Sequence, residues 1–212
     1  MTFWAEVGQT ALRYLPRFSY LRRSDPIDSV DSVCDFASTR AAFVCQKKLY
    51  GYVKTRVGTR FPKLMDDEIF VRSLNIAKLE VFAACLADMT CFCVANSLVE
   101  AEVGNDVMGG IAAECYERGI AANDDGSCGT GAADKWRAAF DDRLARTVWH
   151  TNGPAHFTDS PKALVRWAPI AEDLKKLDAE IVENSILNAW IEFRKEFTDR
   201  VDRAAVASSA RA

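Results

Sequence analysis

The chain has 212 residues, 49% of them hydrophobic and 27% charged, with a net charge of -3. That length can bury a full core as one domain, that composition lies far from disordered chains, and that charge gives no global pull toward nucleic acid, which is not expected as a partner. The seven cysteines (Cys34, Cys45, Cys85, Cys91, Cys93, Cys115, Cys128) are an odd set without a C-x-x-C pair, so they read as free core thiols in a reducing compartment and exclude a zinc ribbon or thioredoxin motif.

Helical periodicity runs through the chain, and no segment shows the apolar and polar alternation of strands. The first predicted helix spans Thr2 to Leu15, with Phe3, Trp4, Val7, Ala11, Leu12 and Leu15 on one face and Pro16 as its stop. Positions 1–23 have no unbroken apolar run with a small-residue cleavage site, so a cytoplasmic location is expected. Ser24-Asp25-Pro26 reads as a break with capping residues, followed by a long helix through Val30, Val44 and Val57 that Gly58 ends. A second long helix is predicted from Asp66 to Ala101, opened by acids at its positive end. After the turn Gly104-Asn105-Asp106 come a shorter helix, Val107 to Ala122, and the polar loop Asn123 to Gly131. A further helix carries Trp136, Phe140, Leu144 and Val148.

Asn152-Gly153-Pro154 breaks the chain again, and Asp159-Ser160-Pro161 starts a helix with proline at its first position. The last helix is expected from Pro169 to about Val206, with one apolar seam through Ile170, Leu174, Leu177, Ile181, Ile186, Trp190, Phe193, Phe197 and Val201. Three long helices joined by short breaks predict an all-α fold, an antiparallel bundle of long helices with shorter accessory helices. The expected organisation is an amphipathic segment over 1–23, one bundle domain over 24–206 and a disordered tail over 207–212.

Two features could carry function. No acid lies between Asp35 and Asp66, while Arg40, Lys47, Lys48, Lys54, Arg56, Arg60 and Lys63 do, with Tyr50 and Tyr52 among them. Such a stretch can meet phosphate, anionic lipid or an acidic partner, unless acids of the last helix (Glu172, Asp173, Asp178, Glu180, Glu183) answer it within the fold. The N-terminal segment mixes aromatic and basic residues, which makes Trp4, Arg13, Arg17 and Phe18 candidates for contact with an anionic membrane surface. The run Val81 to Val99 is apolar, but about seven strong apolar residues at roughly -0.5 kcal/mol each barely offset one central Asp88 at roughly +3 kcal/mol. A buried core helix is therefore expected, with basic residues as partners for Asp88 and Asn96.

The only histidines, His150 and His156, flank a chain break, and neither follows a glutamate by three residues as in di-iron bundles. With no H-E-x-x-H and no G-x-S-x-G, no metal and no cofactor is expected, and His150 and His156 stay as weak catalytic candidates beside a Cys or Ser nucleophile. The loop Gly126-Ser127-Cys128-Gly129-Thr130-Gly131 lacks the lysine of a phosphate cradle and reads as a linker.

The runs Thr39 to Met89 and Ser160 to Ser185 resemble a family of uncharacterised helical proteins from alphaproteobacteria, over most of the chain. Some members carry a generic esterase label, so the resemblance implies a bacterial cytoplasmic setting and transfers no catalytic residue. The leading expectation is a non-enzymatic interaction or adaptor protein with a contact surface at Lys47, Lys48, Lys54, Arg56, Arg60 and Lys63. A small-ester hydrolase and a peripheral protein of the inner membrane are the alternatives. A protein partner is expected, and a leftover apolar stripe would permit self-association.

Overall fold

The computed structural model describes residues 25–101, 103–150 and 153–211, and over them the chain is an all-α bundle of antiparallel long helices with shorter accessory helices. The predicted helix over Thr2 to Leu15 and the membrane-contact candidates Trp4, Arg13, Arg17 and Phe18 lie outside the described residues. Helix α1 covers Val30–Val57, and α2 (Phe61–Leu64) follows a 3-10 turn. Then come α3 (Glu68–Leu98), α4 (Asn105–Asn123), α5 (Ala132–Leu144), α6 (Asp159–Trp167), α7 (Glu172–Arg200) and α8 (Arg203–Ser209).

Local chemistry explains the ends of the long helices. Ser29 caps α1 and exchanges hydrogen bonds with Ser32, a capping box built from two serines. At the other end Gly58, at φ 59°, takes a backbone conformation that a side chain would resist. Asp67 caps α3, its carboxylate accepting the Ile69 and Phe70 amides.

Helix α3 is the axis of the bundle, packed against α1, α4, α6 and α8. Its run Met89–Ala95 is buried on every side, as a helix apolar all round must be. Among the described residues it is the one helix long and apolar enough to cross a membrane, and 89% of that window is buried by the other helices. The approach of α4 to α3 is close: a Cβ added at Gly119 would stand 2.5 Å from Leu86 Cδ2.

Five expectations need correction. The cysteines are not all free, because Cys34 of α1 and Cys115 of α4 form a disulfide across a separation of 81 residues, leaving Cys45, Cys85, Cys91, Cys93 and Cys128 as thiols. Closing a loop that long restricts the unfolded chain by on the order of 4 kcal/mol.

The last helix does not run unbroken to Val206. Ile27 pairs with Val201 in an isolated parallel bridge, donating to the Arg200 carbonyl at 3.0 Å and accepting from the Asp202 amide at 2.8 Å. Val201 is thereby held extended, and Asp202 restarts the chain as the cap of α8.

Nor does a disordered tail begin at 207. Ala207 is buried, α8 continues to Ser209, and Arg211 donates to the Ala101 carbonyl at 2.8 Å. Proline 161 takes the third helical position of α6, not the first, and Val148 is 61% exposed beyond the end of α5.

Candidate functional site

The basic stretch is largely spent on α7. Because α1 and α7 run antiparallel, Arg40 meets Glu196, Lys48 meets Ser185 and Arg56 meets Asp178. Arg40 is 3% exposed and grips Glu196 with both arms, Nε to Oε2 at 2.9 Å and Nη2 to Oε1 at 2.5 Å. Glu196 also accepts from Arg200 at 2.6 Å. Burial alone would raise its carboxyl, yet Arg40 and Arg200 hold it below its ordinary value of 4.5.

Asp178 is 4% exposed and accepts from both Tyr52 Oη, at 2.9 Å, and Arg56. Of the acids set against the stretch, Asp178 answers Arg56, while Glu172 turns to Lys175 of its own helix at 2.8 Å. Lys47 lies 5.4 Å from the Phe43 ring centroid. Arg60 and Lys63 stand exposed one turn and more beyond Arg56.

Asp88 is a fully buried carboxylate whose role is now visible. The cap position of α6 is Thr158, which offers no side-chain bond, and the third helical residue is Pro161, which has no N–H to satisfy. The remaining backbone donors of that turn, Thr158, Asp159 and Ser160, all reach Asp88, at 3.3, 3.2 and 2.8 Å. A carboxylate from α3 thus does what a capping side chain would do locally.

Arg143 completes the cluster, donating to Asp88 at 2.6 Å, to the His156 carbonyl at 2.5 Å and to Asp159. Burial lifts the Asp88 carboxyl against the pull of Arg143 and Ser160. Ser160 Oγ accepts the Trp190 indole N–H at 3.0 Å, which ties α6 to α7. The expected partner for Asn96 is Arg203, whose guanidinium reaches the Asn96 carbonyl and amide oxygens, each at 2.8 Å.

The histidines and thiols do not assemble into a nucleophilic pair. His150 is exposed and His156 is 5% exposed, beside a cavity whose walls include Arg146, Thr147, Ala155 and Asp159 and no cysteine. Burial pushes the Cys45 thiol up to about 12 and Cys128 up to about 11, and raises Cys85, Cys91 and Cys93 as well. Cys45, Cys85, Cys91 and Cys93 are buried core residues, and Cys128 is half-buried. Among the described residues no group of three or more His, Cys, Asp or Glu could hold a metal ion.

A feature missed from the sequence lies on α7. The expected seam treats Leu174 to Phe197 as one stripe, yet Leu174, Leu177 and Ile181 are 37, 76 and 73% exposed, while Lys175, Asp178 and Val182 face inward. The signal was present: every seam step is three or four residues except Ile181 to Ile186, which is five. At about 100° per residue that step turns the helix about 140° beyond a full turn, so the two stripes occupy different faces. The C-terminal stripe joins the core, and the N-terminal one meets solvent.

Comparison with family models, with curated proteins and with solved structures finds no match for this chain.

Proposed function

We propose that this chain is a non-enzymatic interaction protein and that it works by pairing the solvent face of α7 with α7 of a second copy. The reading rests on one observation: three large apolar side chains are exposed at helical spacing on a helix whose opposite face is already buried. Followed along the same face, the spacing alternates three and four from Leu174 through Leu177, Ile181, Asn184, Asn188, Ile191 and Lys195, the a and d pattern of a coiled coil.

Set parallel and in register against itself, the seam meets like with like: leucine on leucine, isoleucine on isoleucine, amide on amide. Reversed about the midpoint of Leu174 and Thr198, it would oppose Leu177 with Lys195. An asparagine at an a position, here Asn188, favours the parallel, two-stranded arrangement. The one like-charge layer, Lys195, is already paired with Asp199 at 2.5 Å.

The seam from Leu174 to Ile191 is about 26 Å long at 1.5 Å per residue. A contact that short sits at the small end of specific interfaces, so a micromolar dimer is expected. Arg60 and Lys63, both exposed, follow Arg56 toward the end of the bundle at which α7 begins.

Sedimentation equilibrium of the full chain tests this. A monomer–dimer equilibrium is expected, abolished by Leu177→Glu with Ile181→Glu while the helical circular-dichroism signal persists. Leu174→Cys should cross-link two copies under mild oxidation, since residue 174 meets its own counterpart only in the parallel arrangement. A full chain that stays monomeric to about 100 µM overturns the reading. The hydrolase and membrane-surface alternatives have no observation among the described residues in their favour.

A further inference from the structure

A second feature, independent of α7 pairing, is a cleft of about 260 Å³ between α3, α5 and α6. Its room comes from side chains that are too small to fill it: the α3 side is Ala83, Ala84 and Ala87, with Glu80 one turn before them. Facing these alanines are aromatic rings, Trp136 and Phe140 of α5, with Trp167 of α6 at one end. Trp136 is 7% exposed and Phe140 3% exposed, and Phe140 is stacked against Tyr116 of α4 with ring centroids 4.0 Å apart. These rings are packed in place around a space that they do not occupy.

Two polar groups of the inner wall are already engaged, and their state helps select the ligand. The indole N–H of Trp136 is donated to Glu80 at 3.0 Å, so it has no hydrogen bond to offer. Arg143 is consumed by Asp88, Asp159 and the His156 carbonyl. The two carboxylates of the walls, Glu80 and Asp159, are engaged by Trp136 and Arg143, and the rest of the inner wall is mainly π surface and methyl groups, which suit a flat apolar body.

The rim differs. Lys162 and Arg166 lie one turn apart on α6, both exposed, and among the described residues neither forms an ion pair. Arg166 sits over the Trp167 ring at 5.3 Å, which holds its guanidinium at the edge of the cleft. A planar body in the cleft would therefore have two cations at its outer edge, and a carboxylate there would be met by both.

We propose that this cleft binds a planar aromatic carboxylate of one or two fused rings, the rings lying between Trp136 and the alanines and the carboxylate directed at Lys162 and Arg166. The size limit follows from the cavity, which falls below the roughly 300 Å³ at which sites for drug-sized ligands begin.

The test titrates 2-naphthoate into the full chain, followed by tryptophan fluorescence and calorimetry, with 2-naphthamide as the uncharged counterpart. Saturation by naphthoate below about 1 mM is expected, with the amide roughly tenfold weaker. Lys162→Gln with Arg166→Gln, both on the surface, should erase the difference between acid and amide. Ala84→Phe should fill the space and abolish both titrations with the helical signal intact. Naphthoate that fails to saturate overturns the proposal, as does equal affinity for acid and amide. Retention of the difference in the double glutamine variant, or of binding in a folded Ala84→Phe protein, overturns it too.

Discussion

The two halves of α7 share one rigid helix and similar apolar content, yet they are buried in opposite ways. In the C-terminal half Ile186, Trp190, Phe193 and Phe197 are 5% exposed or less, and Phe197 packs against Phe36 and Phe92 with centroids 5.1 and 5.7 Å apart. In the N-terminal half the leucines and Ile181 face out, and the helix is held instead by polar anchors: Lys175 donates to the Arg166 carbonyl at 2.8 Å, and Asp178 accepts from Tyr52 at 2.9 Å and from Arg56. A helix has one rotation about its axis. The aromatic cluster sets it, because Trp190, Phe193 and Phe197 with Ile186 outweigh Leu174, Leu177 and Ile181 in apolar area, and the N-terminal half inherits the consequence.

This contrast can be broken at several points. The largest effect is expected at the cluster that the C-terminal half supports. Asp88→Ala should cost about 3–5 kcal/mol in urea unfolding, because it leaves Arg143 buried beside an emptied partner and strips the first turn of α6 of its acceptor. A loss below about 1 kcal/mol would show that water replaces the carboxylate there.

Next comes the paired comparison within α7. Ile186→Ala, at a fully buried site, should cost about 2–5 kcal/mol, whereas Ile181→Ala, at a site 73% exposed, should stay within about 0.5 kcal/mol when measured at dilutions where the chain is monomeric. Equal losses would mean that the N-terminal stripe is covered within a single chain.

A smaller effect is expected from acid. Glu196 is held below its ordinary 4.5, so the folded protein binds fewer protons there than the unfolded chain. The stability this adds is full above pH 4.5 and is lost as pH falls through the folded value. Glu196→Gln should flatten the acid limb of a stability–pH curve and cost about 1–2 kcal/mol at neutral pH, most of it from the cation left on Arg40. An unchanged acid limb would assign the loss to other carboxylates. The smallest effect is Leu177→Ser, near zero for the monomer's unfolding and visible only as weaker dimerisation.

Much of the fold was legible in the chain. The long helices announced themselves by apolar spacing, the end of α1 by Gly58, the start of α3 by its run of acids, and the polar loop after α4 by its three glycines, all at positive φ, whereas the cap of α1 is Ser29 and not the Ser24-Asp25-Pro26 break. Asp88 could be recognised as a buried acid in need of a cation, and Arg143 is that cation. Its second duty, capping α6 from 70 residues away, was not legible, since local rules look for a cap next to the helix it serves. The cleft was invisible for a similar reason: Ala83, Ala84 and Ala87 read as ordinary helix formers until α5 and α6 leave a gap beside them.

By itself, then, the sequence determined which segments are helical and that their apolar sides must bury one another, because those matters depend on neighbours within a turn or two. Tertiary structure alone decided which of two stripes on α7 enters the core, which acids cancel the basic stretch, and which cysteines pair. Each of those outcomes depends on side chains brought together from distant parts of the chain, and the choice among them falls to the packing that buries apolar surface while pairing buried charges such as Arg40 with Glu196 and Asp88 with Arg143.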